Sequence, residues 1–179
     1  GRPMRTGTLA AGLAALVGIA AVAPLVAWGI LVVWSVSARS VDHVMTSLVL
    51  RRHEAGRVSF ARARAFLLDE YVGLPADHPE RYAAVIEREL ASRVDFAPGA
   101  VRAPDSGAAD LAAACAEYEA AIRDAGGVDL QVLGIGTDGH LAFNEPGSSL
   151  ASRTRIKTLA EQTRIDNARF FDGDASAVP

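Results

Sequence analysis

The sequence predicts an α/β fold built on a mostly parallel sheet, and two observations carry that expectation. Two short apolar runs, Arg62 to Leu68 and Val128 to Ile135, each deliver a loop that bears carboxylates or glycines. Between them lie two segments with apolar residues at helical spacing. Strand, helix, helix, strand in that order implies parallel pairing, with a ligand crevice outside the carboxyl ends of the strands.

Length and composition set the outer bounds. A chain of 179 residues with 50% hydrophobic and 22% charged residues can bury one sizeable core and does not read as disordered. Its 18 Lys and Arg against 21 Asp and Glu give a net charge of −3, which argues against electrostatic capture of nucleic acid and favours a small-molecule partner. The lone cysteine, Cys115, cannot form an internal disulfide or anchor a metal cluster, which points to a cytoplasmic setting. Its alanine neighbours predict a buried helical thiol rather than a nucleophile.

The first fifty residues form a hydrophobic segment distinct from residues 51–179. Thr6 to Ala38 carries no charge and exceeds the roughly 20 residues a membrane-spanning helix needs. Arg2 and Arg5 before it and Arg39 after it balance too closely to orient such a helix. A signal peptide fits poorly, because no small-residue cleavage site ends the run. The competing reading places a buried helix, a break at Ala23-Pro24 and a buried strand from Gly29 to Val36 inside an α/β domain. A membrane contact through residues 6–38 is therefore kept but not favoured.

Val41 to Ala55 is helix-compatible and Gly56 is a stop. Arg62 to Leu68 reads as a strand ending in Asp69-Glu70. Gly73, Pro75 and Pro79 mark a loop, and Pro79 opens a helix through about Arg93 with Tyr82, Val85, Ile86 and Leu90 on one face. Asp95 to Gly107 reads as a connection, and Ala108 to Asp124 as a second helix with Leu111, Cys115, Tyr118 and Ile122 at core spacing, ended by Gly126-Gly127. Val128 to Ile135 reads as a buried strand. Ser152 to Leu159 alternates as a strand does, with Arg153, Arg155 and Lys157 on one side; such a face is either solvated or an anion site. Glu161 to Phe171 suits a last helix.

The chemistry concentrates in LGIGTDGHLAFNEP, Leu133 to Pro146. An imidazole, His140, stands within five residues of the carboxylates Asp138 and Glu145 at a glycine-flanked strand end, an acid/base arrangement. A catalytic metal is disfavoured, since His43, His53 and His78 lack ligand spacing. No serine sits in a G-x-S-x-G elbow, and the third glycine and following helix of a dinucleotide fingerprint are absent.

FLLDEYVGLPADHPERY, GGVDLQVLGIGTDGHLAFNEPGSSLASRTRIKTL and TRIDNARFF together resemble the signature segments of the isomerising glucosamine-6-phosphate deaminases, from about Arg51 to Pro179. The 6-phosphogluconolactonases share the glycine-rich strand end and DGH triplet but not AFNEP. The resemblance implies a three-layer α/β/α sandwich with a Rossmann-like sheet, incomplete in this chain. It also implies conversion of glucosamine 6-phosphate and water to fructose 6-phosphate and ammonia without metal or organic cofactor. By the same resemblance Asp69 is the base that shuttles a proton between C2 and C1, and His140, held by Asp138 and Glu145, opens the sugar ring. Arg169 matches a phosphate-binding arginine. Ser148, Ser149, Arg155 and Lys157 match the regulatory sugar-phosphate site of allosteric members, and a homo-oligomer is implied.

Two departures accompany this likeness. Where the family has a loop like GLATGSSP, this chain reads WSVSARSVD from Trp34 to Asp42, without a glycine to bring backbone amides against a phosphate. The chain also stops at Pro179, where the family continues. Three accounts follow as expectations: a deaminase represented by an incomplete product, a membrane-tethered deaminase-like domain, or an inactive domain that binds sugar phosphates.

Overall fold

A computed structural model describes residues 32–34, 39–133 and 139–179, with side chains described from residue 46 onward. The elements run β1 (Val32–Trp34), α1 (Arg39–Glu54), β2 (Ala65–Leu67), α2 (Tyr82–Glu89), β3 (Val101–Arg102), α3 (Leu111–Asp124), β4 (Leu130–Val132) and α4 (Glu161–Asn167). Single 3-10 turns follow α2 at Ala91–Arg93 and α4 at Ala168–Phe170.

The four strands form one sheet in the order β3-β2-β1-β4, parallel at every junction. β1 is central, with Val33 opposite Phe66 on β2 and Gln131 on β4. Residues 32–34 of the charge-free run thus lie in the sheet. The rest of that run before residue 32 lies outside the described residues. Among those described, no helix is long and apolar enough to cross a membrane.

Alternate residues of a strand face opposite sides of a sheet, and β2 shows what each side buries. Leu67 packs in a cluster with Leu50 of α1, Ile86 of α2, Leu90, Tyr71 and Phe171. Phe66, only 2% exposed, packs instead with Tyr118 of α3 and partly buried Ala121 and Ile122. Helices thus cover both faces, which makes the three layers. Tyr82 and Ile86 are the buried stripe of α2, continued by Leu90 at its C-cap as their spacing predicts, while Val85 is only half-buried. On α3 only Tyr118 is fully buried, and Cys115 is half-buried rather than interior.

Several boundaries differ from the sequence reading for physical reasons. β3 lies inside the expected connection Asp95 to Gly107; its two residues make no alternating pattern, and pairing with Ala65 and Phe66 alone makes them a strand. β4 is shorter and less buried than expected, with Val128 42% and Leu133 37% exposed, because it lies at one end of the described sheet order. Ser152 to Leu159 is not a strand: it runs as an extended strap with no sheet partner among the described residues. Helix ends agree better. Gly56, at φ +67, and Arg57 close α1 through amide bonds to the carbonyls of His53 and Arg52, both 2.8 Å.

The Tyr118 hydroxyl links the helical layer to the sheet. It donates to the Leu67 carbonyl at 2.8 Å and lies 3.1 Å from that of Arg102, where β2 and β3 end. Burial pushes its phenol well above the ordinary range, so it stays a donor. Tyr118→Phe is expected to lower unfolding free energy by about 1–3 kcal/mol in denaturant titration, since it strips a buried bond and keeps the ring; unchanged stability would show that the bond contributes nothing.

Candidate active site

Asp69 lies just past the end of β2 and lines a cavity of about 360 Å³. Pro104, Asp105 and Ser106 contribute from beyond β3, Phe143 and Asn144 from the loop after β4, and Arg155 and Lys157 from the strap. Carboxylates, among them Asp69 and Asp105, and the cations Arg153, Arg155 and Lys157 thus line one cavity outside the carboxyl ends of parallel strands, where an open α/β sheet places its ligands.

The ring surfaces beside Asp69 are aromatic. Tyr71 packs on Tyr82, Phe143 and Phe171 with centroid separations of 5.1, 5.3 and 5.6 Å. Burial pushes the Tyr71 phenol up to about 12, and the Asp69 charge adds to the rise. Burial raises Tyr82 as well, again with Asp69 contributing. Both phenols therefore remain neutral donors, and their hydroxyls bond to each other at 3.4 Å.

The paired carboxylates Asp69 and Glu70 do different work. The Glu70 side chain is 0% exposed, and its oxygens accept from the amides of Tyr71 (2.9 Å), Tyr82 (3.0 Å) and Ala83 (3.0 Å). The last two are open amides of the first turn of α2, whose own N-cap, Arg81, supplies no acceptor. Arg81 Nε lies 3.8 Å from the same carboxylate, and Arg81 also donates to Ser106 at 3.0 Å. Glu70 is thus a structural cap that fixes the backbone beside Asp69. An uncapped helix start in the sequence was the available signal.

His140 and Glu145 lie on the two arms of one tight turn. Leu141 and Asn144 form an antiparallel bridge, with the Asn144 amide bonded to the Leu141 carbonyl at 2.9 Å, so the flanking His140 and Glu145 are the next pair outward. Ala142 in the turn is buried and left-handed at φ 53. His140 is half-buried. Asp138, expected to share this loop, lies outside the described residues. Glu145 Oε1 accepts from the Thr163 hydroxyl at 2.7 Å and the Ala160 amide at 3.1 Å.

The remaining expected residues are dispersed. Arg155 and Lys157 line the Asp69 cavity, and Arg155 donates to Asn144 Oδ1 at 3.1 Å. Ser148 bonds through its amide to the Glu145 carbonyl at 3.0 Å, and Ser149 Oγ accepts from Ala151 at 3.2 Å. Exposed Arg169 follows α4, its guanidinium 4.8 Å from the Phe170 ring centre. As the described residues define the cavity, His140, Glu145, Ser148, Ser149 and Arg169 are not among its lining side chains. No group of three or more His, Cys, Asp or Glu side chains among those residues could hold a metal ion.

The site geometry coincides with a family match. Residues 39–167 match the family of glucosamine-6-phosphate isomerases and 6-phosphogluconolactonases. The chain belongs to this family. The glucosamine-6-phosphate deaminase of Beutenbergia cavernae is 79% identical over 128 residues, which are 72% of this chain and 49% of that protein. That of Mycolicibacterium smegmatis is 74% identical over 131 residues, 73% and 50% respectively. Among solved structures, a monomeric glucosamine-6-phosphate deaminase superposes with TM-score 0.78 at 35% identity, over 84% of this chain and 61% of that one. A 6-phosphogluconolactonase from Plasmodium vivax, TM-score 0.51 at 15% identity, shares the fold alone. The chain spans about half the length of the curated relatives it matches.

What sequence reasoning missed in this family member is how the strap is held. Glu119, on α3, accepts from the Thr154 amide and hydroxyl, both 2.8 Å, and from Arg153 at 3.2 Å. The Thr154 amide is the main reason its carboxyl sits below the ordinary 4.5. A depressed folded value means stabilisation present above 4.5 and lost as pH falls through the folded value. Hydrogen exchange at the Thr154 amide is therefore expected to speed up on acidification below about 4.5, relative to the intrinsic rate, and already at neutral pH in Glu119→Ala. Unchanged protection would refute the anchor.

Proposed function

We propose that this chain carries the acid/base half of a glucosamine-6-phosphate deaminase, which converts glucosamine 6-phosphate and water to fructose 6-phosphate and ammonia in amino-sugar catabolism. The observation that carries the reading is Asp69 at the end of β2, in a cavity with Arg155 and Lys157, within a chain 79% identical over 128 residues to a deaminase of that name. A carboxylate with aromatic walls is suited to moving a proton between neighbouring carbons, because partial desolvation sustains its basicity.

In this scheme His140 exchanges protons with the ring oxygen and anomeric hydroxyl to open the sugar, and Asp138 and Glu145 orient its imidazole. Asp69 then takes the C2 proton and returns one to C1, and water displaces the amine as ammonia. Arg169 holds the phosphate. Ser148, Ser149, Arg155 and Lys157 form a second, regulatory anion site; two of these four line the Asp69 cavity, which supports coupling between the sites. The scheme uses no metal or organic cofactor, and a cytoplasmic location fits its sugar-phosphate substrate. A homo-oligomer rests on the resemblance alone, and the solved deaminase with TM-score 0.78 is described as monomeric.

Ammonia and fructose 6-phosphate release from glucosamine 6-phosphate is the direct measurement. A protein bearing these residues at the length of the relatives is expected to turn over, and Asp69→Asn to lower kcat by about 10²–10⁴-fold. No release by a well-folded version would overturn the reading. For residues 1–179 by themselves, turnover is expected to be weak or undetectable.

A further inference from the structure

Thr163 is 1% exposed, on the first turn of a helix whose N-cap, Ala160, has no capping side chain. Its hydroxyl donates to Glu145 Oε1 at 2.7 Å, and the Ala160 amide donates to the same oxygen at 3.1 Å. The other carboxylate oxygen, Oε2, is buried and has no hydrogen bond among the described residues. One oxygen of Glu145 is therefore held by two donors, while its twin is kept from water with unused acceptor capacity. Burying an acceptor in that state is unfavourable unless something else constrains it. The Thr163 carbonyl in turn accepts from buried Asn167 at 2.8 Å, which ties this contact to the end of α4, just before Arg169.

We propose that Thr163 is a positioning residue: its hydroxyl fixes the Glu145 carboxylate on the start of α4, so that the direction of Oε2 is set. The proposal deepens the deaminase reading and rests on it for the role of Glu145. A carboxylate that is free to rotate would present either oxygen and solvate both. A clamped one offers a single acceptor with a fixed direction, as an imidazole partner requires. The same contact docks the turn onto the start of α4.

The test compares the chain with Thr163→Val, which keeps the shape and removes the donor, and Thr163→Ser, which keeps the donor. Hydrogen exchange at the Ala160 and Asn144 amides is expected to rise about tenfold in the valine variant and to stay near the parent rate in the serine variant. In the turnover assay on the protein at the length of its relatives, the valine variant is expected to lose about tenfold or more in kcat with little change in KM, and serine to restore it. Parent-like exchange in Thr163→Val, or equal effects of Val and Ser, would overturn the proposal. Absence of turnover in the unsubstituted protein would count against the deaminase reading alone, because the exchange comparison decides the clamp independently.

Discussion

Helices α2 and α4 begin at Arg81 and Ala160, whose side chains offer no acceptor to the open amides of a first turn. Both starts are tied to a carboxylate from elsewhere in the chain: Glu70 accepts from the first-turn amides of α2, and Glu145 accepts from the Ala160 amide just ahead of α4 and from the Thr163 hydroxyl. Each carboxylate comes from a loop at the crevice end of the sheet. The constraint works in both directions. The helix gains its missing acceptor, and the loop gains a fixed point beside Asp69 in one case and beside His140 in the other. A residue that looks catalytic by composition can therefore be the bolt that holds its neighbour, as Glu70 is.

The same principle explains which parts of the molecule were legible in the sequence. Helices announce themselves by spacing, and the buried stripe Tyr82, Ile86 and Leu90 and the glycine stops after α1 and α3 appear where periodicity and turn chemistry put them. β3 has no such signal, since two residues become a strand only by pairing with β2. The strap shows the converse error: alternation in Ser152 to Leu159 is real, but with no sheet partner among the described residues it produces an extended segment pinned by Glu119 instead. Asp69, His140 and Glu145 stand out in the sequence as candidates because chemistry-bearing side chains cluster at predicted strand ends. Glu119 and Thr163 do not, because their partners, the Thr154 amide and hydroxyl and the Glu145 carboxylate, are distant in sequence.

The aromatic surroundings add an electrostatic consequence. Tyr71, Tyr82 and Tyr118 all have phenols raised chiefly by burial, and the Asp69 charge contributes to each rise. Phenols that resist ionising add no negative charge of their own beside Asp69. The fold supplies this environment through packing, since the same rings join α2, the turn and the Phe171 segment.

Ala142 sits at the tip of the His140–Glu145 turn with a left-handed backbone and a buried methyl group. Left-handed geometry disfavours an alanine by roughly 1–2 kcal/mol, and more for β-branched residues. Glycine would relieve the backbone but leave the buried space empty, and larger side chains would fill it at a worse torsion. Position 142 is thus closed from both directions, and in a saturation-mutagenesis survey it should rank among the least permissive sites of the chain although it carries no reactive group.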